Sequence, residues 1–421
     1  MKLSRTMTGW KGALLRIASV GARPVREAQG ERGIVLEPYR GYGSESEVFL
    51  IGRVFRQSRS APGARRDLIR THLRDITRRI VRRALPGVAV TVRFYGAEET
   101  VTTDRDGYFR VHMSPGERPP ADRSWHVMDL AVDQPHPARA QAQIFIPRSD
   151  CRYVVISDID DTIMRTGVAN KLMMLWRLFV QDAASRVAFP GVSALYRALH
   201  DGATGGQENP MLYVSRAPWG IYAILEEFFG RHGIPVGPIL FLREWGISWK
   251  SPLPRKAEDH KRELIHNMLS LYSELPFILI GDSGQHDPEV YRKIVEEHPG
   301  RVLAVYIRNV SRHAGRIREI EALAMTVAQA GSTLLLAADS VAMAEHAAKL
   351  GLVPPETVAE VRSGKAADDG PEAPSKTRRI ERPTPGETAE AVSQGKLESA
   401  LASGSGSTPP NVVVEPERRE E

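Results

Sequence analysis

Between Arg152 and Val310, short apolar runs alternate with stretches of helical periodicity. Val154-Val155-Ile156, Met211 to Ser215, Pro238 to Leu242, Phe277 to Ile280 and Val302 to Ile307 are brief runs rich in β-branched and aliphatic residues. Such runs fit strands buried on both faces. Lys171 to Ala184, Val192 to Asp201, Ile221 to Arg231, Asp259 to Leu271 and Pro288 to Glu297 read as helices between them. Strand-helix alternation of this kind predicts an α/β domain with a doubly wound parallel sheet. Beyond Val310 the spacing predicts helices at Arg318 to Gln329 and Ser340 to Leu350, around an apolar segment, Thr333 to Leu336.

The N-terminal part has a different rhythm. Glu47 to Phe55 and Val88 to Tyr95 read as strands, followed by Glu99 to Thr103, Trp125 to Val132 and Ala142 to Ile146. Asp106-Gly107 between strand-like runs is a hairpin signal, because glycine accepts positive φ. Thr103, Asp104, Gly107 and Phe109 resemble the Thr-Asp-x-x-Gly-x-Phe turn of transthyretin-like domains. Arg65 to Leu85 has helical spacing at Leu68, Ile69, Leu73, Ile76, Ile80 and Ala84, and its other positions carry eight arginines against Asp67 and Asp75. The surface of that helix is either a solvated face or a contact for an anionic surface.

This pattern divides the chain into a basic segment at 1–44, a β-sandwich with an inserted basic helix at 45–147, an α/β domain at 150–353 and a tail at 363–421. The tail is rich in Pro, Gly, Ser, Glu and Lys, and is expected to be disordered because it has little apolar surface to bury. The first twenty residues carry Lys2, Arg5, Lys11 and Arg16, and Arg16 interrupts the apolar stretch that a signal peptide needs. They read as a frayed terminus or as a short basic amphipathic helix around Trp10.

Composition narrows the classes further. At 421 residues and 42% hydrophobic, the chain has material for more than one core. The single cysteine, Cys151, excludes an intrachain disulfide and a multi-cysteine zinc site, and points to a reducing cytoplasm. No run approaches the roughly eighteen apolar residues of a spanning helix. The net charge of +6 suits an anionic partner without choosing among phosphorylated substrate, membrane and nucleic acid.

The chemistry gathers at strand ends. The first buried run leads into Asp158-Ile159-Asp160-Asp161-Thr162. Close carboxylates repel unless something pairs them, and hard oxygen ligands suit Mg²⁺. Ser215 ends the second run, where its hydroxyl and N–H suit a phosphoryl oxygen. Gly281-Asp282 ends the fourth, with Asp287 shortly after it. Lys261, in Asp259-His260-Lys261, begins the helix that precedes the fourth strand; Lys256 is its alternative.

In this order, Asp158-x-Asp160-x-Thr162, Ser215, Lys261 and Gly281-Asp282-x-x-x-x-Asp287 resemble the four-motif set of haloacid dehalogenase-like phosphatases. The longer strings Ser-Asp-Ile-Asp-Asp-Thr-Ile, Tyr-Val-Ser-Arg-Ala-Pro-Trp and Ile-Gly-Asp-Ser-Gly-Gln-His-Asp-Pro-Glu-Val-Tyr are similar to the Mg²⁺-dependent phosphatidate phosphatases of the actin patch protein type. The resemblance covers roughly Asp150 to Val353. It implies hydrolysis of phosphatidate to diacylglycerol and phosphate through an aspartyl-phosphate. By that resemblance Asp158 is the nucleophile, Asp160 the acid and base, and Ser215 and Lys261 hold the phosphoryl group. Asp158, the Asp160 carbonyl and Asp282 would bind Mg²⁺, with Asp287 in support. It further implies a phosphorylated-lipid substrate, peripheral membrane contact and no nucleic acid, and leaves the oligomeric state open.

Several neighbours stay open at this stage. Lys171 to Val180 is a buried helix or a greasy cap that admits acyl chains. Trp219, Trp245 and Trp249 rim the site or pack in the core. His286 reaches the substrate or is a solvated loop residue, and His200, His232 and His266 read as surface residues. Three rival functions remain: a phosphatase of soluble phosphomonoesters or phosphoproteins, a lipid-binding module with a catalytically silent site, and an interaction protein whose β-domain and tail are the working parts, with incidental phosphatase activity.

Overall fold

The structure is a computed structural model. It describes residues 33–56, 83–160, 162–163, 188–216, 219, 222–241, 257–311, 313–369 and 412–414. Residues 65–82 of the helix expected at 65–85, the helix expected at 171–184, Trp245, Trp249, Lys256, the first 32 residues and most of the tail lie outside these ranges.

The runs of the second half become strands of one seven-stranded sheet. They are β10 (Val154–Asp158), β11 (Met211–Ser215), β12 (Ile239–Phe241), β13 (Phe277–Asp282), β14 (Val302–Arg308), β15 (Leu334–Ala337) and β16 (Val412–Val414), in the order β12-β11-β10-β13-β14-β15-β16. All neighbours are parallel except β15 and β16. Successive residues of a strand face opposite sides. Thus Val155, Tyr213, Ile278, Ile280 and Tyr306 enter one core, whereas Val154, Ile156, Leu212, Leu279 and Val305 enter another. Helices close both sides, as continuous apolar strands require. Val192–Asp201, Tyr222–His232, Ser340–Lys349 and Thr357–Asp369 contribute to the first core, and Ala257–Leu271, Asp287–Glu297 and Ala314–Gln329 to the second.

The chain runs outward from β10 through β11 to β12, then returns to the other side of β10 for β13, β14 and β15. Order therefore reverses between β10 and β13. In open α/β sheets such a reversal opens a crevice at the carboxyl ends of the strands.

The first half forms a nine-stranded, largely antiparallel sheet. Its strands are β1 (Ile34–Pro38), β2 (Gly41–Gly43), β3 (Val48–Arg56), β4 (Arg83–Ala84), β5 (Ala89–Phe94), β6 (Ala97–Thr102), β7 (Tyr108–Met113), β8 (Trp125–Val132) and β9 (Ala138–Phe145). Hydrogen bonding links β1, β2, β4 and β7 to β3. Gly107, at φ 79°, closes the turn before β7, and a Cβ there would lie 2.5 Å from the Val54 carbonyl. The Asp104 carboxylate accepts from the Asp106 and Tyr108 N–H groups in the same turn.

Three sequence expectations change. The basic segment 1–44 contains two strands, β1 and β2, which pair with β3. The helix expected over 65–85 does not reach its last residues, because Arg83 and Ala84 pair with Arg56 and Phe55. The tail expected to be disordered from 363 starts inside a helix, Thr357–Asp369, and its Val412–Val414 adds to the sheet edge at β15.

The two sheets meet through Tyr39, which stacks on Trp219 at 4.6 Å between centroids, and through Arg40, which pairs with Glu226 and donates its N–H to the Tyr222 hydroxyl. Among the described residues no helix is long and apolar enough to cross a membrane.

Candidate active site

Register decides which residues meet at the crevice. Asp158 pairs with Val214, so Ser215 stands one residue further out on β11. Ser157 pairs with Ile280, which sets Gly281 level with Asp158 and Asp282 one step beyond. Ser215, Asp158 and Asp282 thus end three adjacent strands, and all are buried. The apolar strands carry these polar residues to the one edge where backbone pairing stops.

Two helices complete the group. Lys261, on Ala257–Leu271, is fully buried and donates to Asp158 Oδ1 at 2.8 Å and to Asp287 Oδ1 at 2.6 Å. Its ammonium lies 5.5 Å from the Tyr291 ring centroid, a favourable cation–π distance. Asp287 begins the helix after β13, with Pro288 in the first turn, where an acid complements the helix dipole. Its Oδ2 accepts from the Asp282 N–H at 3.3 Å. This approach requires Gly281: a Cβ there would meet Asp287 Oδ2 at 2.4 Å and Asp287 Cβ at 2.7 Å.

Carboxylate oxygens of Asp158, Asp282 and Asp287 lie within 4.8 Å of one another. Burial, followed in effect by Asp287, Asp160 and Asp282, pushes the Asp158 carboxyl well above its usual range, against the pull of Lys261. Burial and Asp287 push Asp282 up to about 6. Burial alone would lower the Lys261 ammonium, but Asp158 and Asp287 outweigh it and hold the group above its ordinary value. One ammonium faces three acids, and among the described residues Asp158 Oδ2 is buried with no partner. That surplus of negative charge, on oxygen donors only, fits a hard divalent cation.

Asp160 is also buried, and its backbone carbonyl accepts from Gln285 Nε2 at 3.2 Å. The converging carboxylates are therefore Asp158, Asp282 and Asp287, and Asp160 joins them through its main chain. Every site residue expected from the sequence lies at or beside this edge.

The other expectations separate. Trp219 packs in the core with Tyr39, Tyr222 and Phe241 rather than rimming the site. His286 is exposed and lies 3.4 Å from Glu258. His266 and His298 form an exposed pair, and His200 Nδ1 lies 2.9 Å from the Asn209 carbonyl.

Three residues have no sequence signal of their own. Arg308, at the end of β14, donates from Nε to the Thr162 carbonyl at 3.0 Å and from Nη2 to Ser340 Oγ at 3.0 Å, with its guanidinium over the Phe189 ring. It thereby holds the loop that carries Asp160. Arg316 donates to the carbonyls of Ser283 and Gln285 at 3.0 and 2.8 Å and pairs with Glu289, fixing the loop after Asp282. Gln285 reaches from that loop to Asp282 Oδ2 at 2.8 Å as well as to Asp160. Each joins segments distant in sequence, so no local pattern reveals it.

Residues 153–309 match the family model described as "Phosphatidate phosphatase APP1, catalytic domain". Over 155 residues the chain is 36% identical to Phosphatidate phosphatase APP1 of Saccharomyces cerevisiae, covering 37% of this chain and 25% of that protein. An uncharacterized protein of Schizosaccharomyces pombe is 27% identical over 156 residues, covering 37% of this chain and 25% of its own length. The chain thus spans about a quarter of the length of the curated relatives it matches. The crystal structure of XAC1771, a carbohydrate acetylesterase from Xanthomonas citri, aligns over 73% of this chain and 75% of that one. The TM-score is 0.23 and the identity 11%. The matched segment begins just before β10 and ends just after β14, and so contains Asp158, Asp160, Ser215, Lys261, Asp282 and Asp287. Residues 153–309 of this chain are similar to the catalytic domain of phosphatidate phosphatases of the APP1 type.

Proposed function

We propose that this protein is a Mg²⁺-dependent phosphatidate phosphatase, which hydrolyses phosphatidate to diacylglycerol and phosphate through an aspartyl-phosphate. The observation that carries the reading is the buried group of Asp158, Asp282, Asp287 and Lys261 at the reversal of sheet order, inside the segment that matches the family. The reading includes a haloacid dehalogenase-like fold for residues 150–353, preceded by a small β-sandwich.

Lys261 holds Asp158 Oδ1, which leaves Oδ2 to attack phosphorus. The bond from phosphorus to the glycerol oxygen breaks. Asp160 gives that oxygen its proton, diacylglycerol leaves, and the phosphoryl group remains on Asp158. Asp160, now a carboxylate, takes a proton from water as the water attacks phosphorus. Phosphate departs and the Asp158 carboxylate returns, with one water consumed. Ser215 offers its hydroxyl to a phosphoryl oxygen, and Lys261 offsets the charge that develops. Asp158, the Asp160 carbonyl and Asp282 would hold Mg²⁺, with Asp287 in support. When bound, the cation neutralises the carboxylates against an anionic substrate.

A lipid substrate is met at a bilayer surface, and a cytoplasmic protein with peripheral membrane contact fits that need. The arginine-rich stretch 65–82 and the apolar stretch 172–180, read from the sequence, are proposed to make it. Phosphate release with Mg²⁺ tests the reading on phosphatidate in mixed micelles, lysophosphatidate, glycerol phosphate, sugar phosphates and phosphopeptides. Phosphatidate is expected to be turned over fastest. Faster release from a soluble compound would move the activity to that substrate, and no release from any would leave a silent module.

A further inference from the structure

Gln285 ties together two of the oxygens assigned above to the cation. Its Nε2 donates to the Asp160 carbonyl at 3.2 Å and to Asp282 Oδ2 at 2.8 Å. Its own Oε1 is buried and, among the described residues, has no partner. Leaving a buried acceptor unsatisfied is costly, because it has lost its hydrogen bonds to water. The backbone around it is fixed from both sides. The Gln285 N–H donates to Asp282 Oδ1 at 3.0 Å, and the Gln285 carbonyl accepts from Arg316 Nη2 at 2.8 Å. The terminal torsion of a glutamine is broad and roughly two-fold, so the amide can turn while the loop stays still.

Half a turn exchanges Nε2 and Oε1. It would bring Oε1 against the Asp160 carbonyl and Asp282 Oδ2, an arrangement of three oxygens that repel one another. A hard divalent cation reverses that balance, since its ligands are oxygens of this kind. We propose that Gln285 is a further residue of the cation site. Its Nε2 bridges the Asp160 and Asp282 loops when no cation is bound, and its Oε1 turns to the cation when one is. This rests on the reading of the site as a divalent-cation centre.

The test is binding of Mg²⁺, and of Mn²⁺ as its spectroscopic substitute, to the full chain, by calorimetry and electron paramagnetic resonance. Thermal unfolding in EDTA runs alongside. Gln285→Leu removes both amide atoms and is expected to weaken cation affinity about 10–100-fold, the range typical for residues that support a metal site. Gln285→Glu keeps an oxygen but loses the donor, since a carboxylate only accepts. It is expected to lower the unfolding midpoint in EDTA, to regain it with Mg²⁺, and to bind within tenfold of wild type. If Gln285→Leu binds as tightly as wild type, or if Gln285→Glu loses affinity as Gln285→Leu does, the inference is overturned while the cation site stands. If wild type binds neither ion, the reading of the site falls with it.

Discussion

The two sheets treat charge in opposite ways. In the antiparallel sheet, charged side chains lie mostly on the solvent side and pair with near neighbours, as in Arg93–Glu98, Arg110–Asp104 and Arg139–Asp133. All six partners are well exposed, and such pairs contribute little. In the parallel sheet, Asp158, Asp282, Asp287 and Lys261 are sealed in the interior and depend on one another. Buried ions are costly to desolvate and are a poor way to hold a fold together. Both sheets obtain their stability from apolar clusters, so the difference marks where the chain gives up stability for a site. The second sheet can keep such a group because its strands end together at a reversal of order, where backbone pairing leaves room for side chains.

Four changes break or sharpen that contrast. Lys261→Met removes the ammonium and leaves Asp158 and Asp287 buried together. Denaturant unfolding in EDTA is expected to show a loss of about 3–5 kcal/mol, the usual result of stripping one partner from a buried pair. A loss below about 1 kcal/mol would place this group with the surface pairs. Asp160→Asn is expected to slow phosphate release from phosphatidate by ~10²–10⁴-fold, the range for a proton-transfer group. An unchanged rate would remove Asp160 from the chemistry.

The third change is pH. Burial, then Asp287, raises the Asp282 carboxyl to about 6, whereas an unfolded aspartate titrates near ~3.9. Between these values the folded chain keeps a proton that the unfolded chain has lost. Stability from this group is therefore complete below pH ~3.9 and is lost as the pH rises through about 6. In EDTA the unfolding midpoint should fall from pH 5 to pH 7 through this group, and Asp282→Asn should flatten that fall. Mg²⁺ competes with the same proton, so its stabilising shift should be larger at pH 7 than at pH 5. The smallest effect is expected from Arg93→Ala, which breaks an exposed pair on the other sheet. It should change stability by less than about 1 kcal/mol under the same denaturant titration.

The legible parts of the sequence share a physical reason. The buried strands β10, β11, β13 and β14 are unbroken apolar runs, and a run of that kind has few other fates. Their polar ends follow directly, so Asp158, Ser215 and Asp282 were readable as residues at one edge. Lys261 was readable through its place before β13, although its fully buried position between two acids was not. β1 and β2 are hard to read because Ile34–Pro38 ends in proline beside a basic stretch and Gly41–Gly43 is three residues long. Thr357–Asp369 is hard to read because the shift to polar composition begins inside it, and Thr357 and Val361 are its buried residues among those described. Val412–Val414 is too short to stand out within a polar tail. Arg308, Arg316 and Gln285 draw their meaning from partners in other loops: Gln285 and Asp160 are 125 positions apart. Spacing along a chain carries no trace of such a contact.

We propose that the buried acids of the parallel sheet form a cation-dependent phosphoryl-transfer site, with Asp158 as its nucleophile. Phosphate release from phosphatidate in mixed micelles, for wild type and Asp158→Asn, each in Mg²⁺ and in EDTA, tests it most directly. Release by wild type in Mg²⁺ alone, with none from Asp158→Asn in either condition, is the predicted result. Full release by wild type in EDTA, or by Asp158→Asn in Mg²⁺, would contradict it.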